Sequence, residues 1–311
     1  MLNRRHLRIR VLQVLYAWQQ SPDKDLVKAE KSFLKSLDQV EELYIFLLLY
    51  IVELRDYAAN FIEDSKNKKL LTEADVNPNT KFIDNLFINS LKDDTALLTL
   101  AGAFKLSFAG EKEMIRNIYF TIRETEEFQE YMEAEGQDFE TDKKFISKLF
   151  GKHLVEEEIF QGLLEEKNIH WDDDFPFITS MVIKTIKDAS EGKIELSPLF
   201  KDKEDKQFAL DLFRKTTVHA DRFTELISSK TNNWEIERVA QIDLLMMQMA
   251  LTEILEMPTV PVKVAMNEYI DMAKYYSTPK SKSFVNGILD SILMDFKRDG
   301  AIKKTGRGLI E

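Results

Sequence analysis

No cysteine occurs among the 311 residues, so disulfides and thiolate metal sites are unavailable, and a reducing cytoplasm is the expected location. Long hydrophobic runs are missing as well. The longest, residues 43–52, has ten residues, against roughly 20 for a helix that crosses a bilayer, so no membrane span is expected. The apolar stretch near the N-terminus carries Gln13 and leads to no small-residue cleavage site, which argues against a secretory signal. Glycine and proline are scarce, ten and seven, and they gather at breaks such as Pro22, Pro78, Gly136, Pro176, Gly192 and Pro258. No GxxxxGK[ST] phosphate loop occurs, and the "GRG" of residues 306–308 lies beyond the last helical pattern. His6, His153, His170 and His219 are scattered without a second histidine at helical spacing, and "HWDDDF" at 170–175 reads as a solvated turn, so neither metal nor cofactor is expected.

Between the breaks, apolar residues recur every three or four positions. Phe33, Leu37, Val40, Tyr44, Leu47 and Ile51 form one stripe; Phe208, Leu212, Phe223 and Leu226, with Lys215 and His219 interrupting, form another. Strict alternation is rare. With 44% hydrophobic and 31% charged residues, the pattern predicts an all-α protein with short loops and a well-solvated surface.

Charge is unevenly distributed. The net charge is −11, yet residues 1–22 carry Arg4, Arg5, Arg8 and Arg10 without an acid, and from residue 257 onward nine Lys and Arg face six Asp and Glu. Two basic ends flank an acidic body, and if they meet in space they form one anion-attracting surface.

The segment from Asn232 has helix-start chemistry: Asn232 or Asn233 can cap, and Glu235 and Glu237 favour the dipole. A helix is predicted from there to Pro258, apolar around most of its circumference and therefore central. Asp243 lies on that apolar surface and needs a partner; a structural pairing with Arg or Lys is the expectation. Two further helices follow, one opened by Pro261 and one capped by Ser281 or Ser283, with Gly287 inside the second read as a close packing contact.

The opening "RRHLRIRVLQVLYAWQQ" of residues 4–20 places cations where the helix dipole is positive, at roughly 0.3–1 kcal/mol each. An anion is expected to offset this. Phosphate of single-stranded RNA suits Arg4, Arg5 and Arg8, while Phe284 beside Lys280 and Lys282 at a helix start offers an aromatic platform. The plain alternatives are a solvated terminus and a hydrophobic staple.

The C-terminal run "PVKVAMNEYIDMAKYYSTPKSKSFVNGILDSI" resembles the end of the NusB family of transcription antitermination factors in its Pro, Val, Asn-Glu, Ala-Lys, Phe, Asn-Gly and Leu-Asp positions. "RVAQIDLLMMQMALTEIL" is similar to that family's core helix at Arg238, Ala240, Asp243, Ala250 and Glu253, and "RRHLRIRVLQVLY" to its first helix at Arg5, Arg8, Leu12, Gln13, Leu15 and Tyr16. The resemblance implies a NusB-like helical bundle with an additional inserted helical region. Its core would be residues 1–22 and 203–297, its insertion the acidic residues 23–202, and residues 298–311 a flexible basic tail. It further implies a binding protein, not an enzyme. Such a protein joins boxA single-stranded RNA and the ribosomal protein NusE in the RNA polymerase antitermination complex on rRNA operons. Tyr16 and Glu253 would face NusE, and Arg4, Arg5, Arg8, Lys280, Lys282 and Phe284 the RNA. Leu244, Gln248, Thr252 and the lysines of "TPKSKS" depart from the family's usual residues.

Two alternatives carry different chemistry. Some rRNA cytosine methyltransferases have a NusB-like domain, but a Gly-rich α/β cofactor unit follows it there, and with about 20 residues after the matching motif none is expected here. A helical scaffold that holds proteins on its acidic middle is the other, distinguished by a failure to bind RNA.

Overall fold

The computed structural model describes residues 2–168, 171–200, 203–231 and 239–309. The expected cap at Asn232 or Asn233, its acids Glu235 and Glu237, Arg238, and His170 lie outside the described residues. Regular structure among the described residues is helical, as expected; β pairing is limited to isolated bridges, Leu2 with Phe200 and Ser190 with Lys193. No helix among them is long and apolar enough to cross a membrane. The chain forms two compact units, Met1–Leu37 with Phe200–Glu311, and Asp38–Leu199. The first unit therefore takes in more of the chain than residues 1–22, and it includes the C-terminal tail.

α1 spans Arg4–Gln20, opened by Asn3, whose side chain accepts the His6 backbone N–H at 3.0 Å. It buries Leu7, Val11, Leu12 and Leu15 and stops at Ser21, ahead of Pro22. α2 spans Leu26–Ser65. Every residue of its predicted stripe, from Phe33 to Ile51, is buried, and in the first unit Phe33 stacks on Phe213 at 5.7 Å.

The second unit continues with short helices: α3 (Glu73–Val76), α4 (Leu86–Lys92), α5 (Thr95–Phe104), α6 (Lys112–Arg123), α7 (Glu126–Glu133), α8 (Phe139–Leu149), α9 (Glu158–Lys167) and α10 (Trp171–Asp188). Five begin on Thr72, Asn85, Asp94, Thr125 or Asp138, each side chain accepting a backbone N–H of the first turn. Pro176, expected at a break, lies inside α10, in its second turn. The core is aromatic: Tyr50 stacks on Phe160 at 3.8 Å, and Tyr131 on Phe145 at 3.8 Å. Asp142 is fully buried, yet it accepts the Tyr131 hydroxyl at 2.7 Å, the Leu86 N–H at 2.6 Å and the Gln137 amide at 2.9 Å, which replaces the water it lost.

The first unit is completed by α11 (Lys203–Val218), α12 (Ala220–Ser228), α13 (Gln241–Leu251), α14 (Val262–Tyr276) and α15 (Ser281–Arg298). α13 packs against α1, α12, α14 and α15, and residues 245–251 are all buried, as its apolar circumference requires. Its expected bounds need correction. Val239 and Ala240 stand outside the helix, and beyond Leu251 the turn Thr252–Glu256 widens to π geometry. Gly287 is also corrected: it faces solvent, and a Cβ built there meets nothing within 4 Å. Close approach belongs instead to Gly308, where a Cβ would run into the Pro258 carbonyl. The tail is thus not free: Thr305 N–H donates to Pro258 O at 3.0 Å, and Lys304 Nζ to the carbonyls of Glu253 and Met257 at 2.9 and 3.2 Å.

Candidate nucleic-acid interface

The anion that α1 calls for is supplied largely by the protein itself. Arg8 Nε and Nη2 donate to the two carboxylate oxygens of Glu253, each at 2.7 Å. Tyr269 donates its hydroxyl to the same carboxylate at 2.7 Å, and the Phe208 ring lies 5.2 Å from the guanidinium. Burial alone would lower the Arg8 pKa; the Glu253 carboxylate outweighs it and raises it. Burial, then Glu253, pushes the Tyr269 phenol up. Arg8 is 3% exposed and Glu253 0%, so neither is available at a surface. This corrects two expectations, Arg8 as an RNA contact and Glu253 as a partner contact: a carboxylate one helix away satisfies the arginine before any phosphate can.

The neighbouring arginines are half-buried. Arg4 pairs with Asp205 at 3.1 Å and sits 4.8 Å over Phe208; Arg5 pairs with Asp271 at 3.0 Å and approaches Glu268 at 3.8 Å. Arg10 is buried and donates to Gln13 at 3.3 Å. Among these cations, burial first and then Arg5 and Arg10 lower the His6 pKa.

The second group of expected RNA residues lies at the start of α15. Lys280 and Lys282 are exposed, Phe284 is half-buried, and neither lysine holds an ion pair among the described residues. Ser281 between them is buried and donates to Asp243 Oδ2 at 2.6 Å, so the residue expected as a cap instead ties the loop to α13. Asp243 therefore has a hydroxyl partner, not the expected Arg or Lys. Arg5 reaches Asp271 on α14, and the loop after α14 carries Lys280 into α15. Tyr275, exposed at the end of α14 with Lys274 Nζ 5.1 Å from its ring, was missed in the sequence; the aromatic pair "YY" at a helix end was the available signal. Tyr16 is 40% exposed on α1. Among the described residues, no group of three or more His, Asp or Glu is placed to hold a metal.

The description "NusB family" belongs to the family model that matches residues 175–294. A Salinibacter ruber protein named "Transcription antitermination protein NusB" is 47% identical over 113 residues, 36% of this chain and 71% of its own. The chain belongs to the NusB family. A NusB protein of Methylacidiphilum infernorum is 38% identical over 104 residues, 33% of this chain and 71% of its own; one of Chloroherpeton thalassium is 47% identical over 85 residues, 27% and 40%. No solved structure matches. The NusB match begins within α10, upstream of the 203 boundary expected from the sequence.

Proposed function

We propose that this chain is a transcription antitermination factor that binds boxA-type single-stranded RNA together with the ribosomal protein NusE, supporting rRNA operon transcription in the RNA polymerase antitermination complex. Its role is binding, without catalysis. The observation that carries this reading is the 47% identity to the Salinibacter ruber antitermination protein. Electrostatics supports it: the first unit holds 25 Lys and Arg against 20 Asp and Glu, a net +5 in a chain of −11. RNA phosphates meet Lys280, Lys282 and the exposed edges of Arg4 and Arg5, and bases stack on Tyr275 and Phe284. NusE contacts α1 through Tyr16.

The test is a titration of boxA RNA at fixed salt, with the chain alone and with NusE. NusE should tighten binding at least about tenfold, equivalent to about 1.4 kcal/mol of coupling. Tyr16→Ala should lose that gain while keeping the intrinsic RNA affinity, and Lys280→Glu with Lys282→Glu should weaken both. Purely additive binding rejects the proposal.

A further inference from the structure

The second unit carries 34 Asp and Glu against 18 Lys and Arg, a net charge of −16, yet lysines collect in one of its grooves. The groove lies between α8 and α10, has a volume of about 520 Å³, and is lined by Lys143, Lys144, Ser147 and Lys148 of α8 and Ile183 and Lys187 of α10, with Glu140 at its edge. Its one lining carboxylate is already occupied. Glu140 accepts from Lys143 Nζ at 2.8 Å, and that ammonium also donates to Ala189 O at 2.8 Å. Lys148 lies 3.6 Å from Glu127, a carboxylate it shares with Lys152 and His153. Lys144 and Lys187 are exposed and make no ion pair among the described residues, and the same holds for Lys184, one turn before Lys187.

Lys144 and Lys187, without an ion pair among the described residues and with only Asp138 drawing on Lys144 from a distance, add like charge beside Lys143 and Lys148, a cost that a bound anion removes. The lining also says which kind. Lys144 and Lys148 are one helical turn apart, about 5–6 Å between Cβ atoms, and face Lys187 across the groove, so the charge is spread along a track. Gly151, after α8, lets Ile183 of α10 come close, a built Cβ standing 3.1 Å from its Cδ1, which fixes the two helices against each other. Ammonium groups and a hydroxyl line the track and no aromatic ring does, so it can grip phosphates but cannot stack or read bases. We propose that this groove binds the phosphate backbone of single-stranded RNA without regard to sequence. The choice of RNA as the polyanion rests on the function proposed above.

The probe is a short fluorescent oligouridine lacking boxA, titrated against the full chain and against Lys144→Glu/Lys187→Glu at several salt concentrations, with helicity checked by circular dichroism. The variant should bind at least about fivefold more weakly, and its plot of log K against log salt should be shallower by about 1.4, or about 0.7 per lost contact. Should charge reversal disturb folding, Lys144→Gln/Lys187→Gln gives the same readout with a smaller change. Unchanged affinity and slope in a folded variant overturn the proposal. Displacement of oligouridine by polyglutamate of equal charge at equal concentration also overturns it, assigning the groove to an acidic protein. The NusE-dependent gain on boxA RNA is read separately in the unsubstituted chain, so its absence rejects the antitermination reading without touching the oligouridine result.

Discussion

Arg8 on α1 and Glu253 in the π-helical turn after α13, 245 residues apart, form a two-pronged ion pair with both N···O distances at 2.7 Å. It ties the N-terminal helix to the far end of the chain. Because both groups are out of water, removing one costs the other its two-pronged partner, leaving Arg8 with Glu268 at 3.7 Å or Glu253 with the Tyr269 hydroxyl, and breaking a buried pair typically costs about 3–5 kcal/mol. Glu253→Gln should therefore lower unfolding stability in urea by about that amount, while Arg8→Met with Glu253→Leu should recover most of it. RNA affinity per folded molecule should stay unchanged in the double variant. A loss under about 1 kcal/mol on Glu253→Gln would mean that the pair behaves as a surface salt bridge.

Asp243 depends on a single hydroxyl. Its Oδ2 accepts from Ser281 at 2.6 Å, and its Oδ1 has no hydrogen-bond partner among the described residues. Ser281→Ala strips the buried carboxylate, and a hydrogen bond to a charged group is worth about 1.5–3 kcal/mol. The expected result is that loss of stability plus faster amide exchange at residues 281–285, since the start of α15, with Lys280 and Lys282, is released. Unaltered exchange there would show that α14–α15 packing alone holds the loop.

The docked tail should respond to alkali in an unusual direction. Burial draws the Lys304 ammonium down from 10.5 to about 8. Since the folded pKa is the lower, the folded chain binds fewer protons than the unfolded one between about pH 8 and 10.5. The desolvation penalty is present in full below pH 8 and is relieved as pH rises through that window. Unfolding midpoints of the unsubstituted chain should therefore climb relative to Lys304→Met from pH 8 to 10.5; parallel curves reject the assignment. Gly308→Ala, forced against the Pro258 carbonyl, should free the tail at about 1–3 kcal/mol.

The helical architecture was legible because burial is written periodically. The stripe from Phe33 to Ile51 and the apolar circumference of α13 name core residues directly, and all six stripe positions are buried. What could not be read was pairing over distance. Arg4, Arg5 and Arg8 look alike in the local sequence, yet one is sealed inside and two are half-exposed, because their carboxylates come from residues 201 to 266 positions away. The glycines show the same limit: Gly287 lies inside the unbroken α15 where a Cβ would meet nothing, whereas Gly308, in a tail with no periodic signal, is the one a neighbouring backbone demands. Asp243 was recognisable as buried, but nothing near it in sequence points to Ser281.

The acid limb of stability should report Glu127, a buried carboxylate of α7. The hydrogen bond from Lys152 first, then a backbone N–H and His153 Nε2 at 2.8 Å, hold its pKa at about 2 instead of the usual 4.5. With the folded pKa below the unfolded one, its contribution is fully present above about pH 4.5 and is lost as pH falls from there through 2. Glu127→Gln should flatten the fall in stability across that interval, and identical slopes in the two proteins would exclude Glu127 as its source. The same substitution has a second consequence at neutral pH. It strips Lys148 and Lys152 of their shared counter-charge, which makes the α8–α10 groove more positive, so oligouridine should bind more tightly to Glu127→Gln with a steeper salt dependence. Tighter binding alongside lower stability is an outcome that general loosening of the fold does not produce.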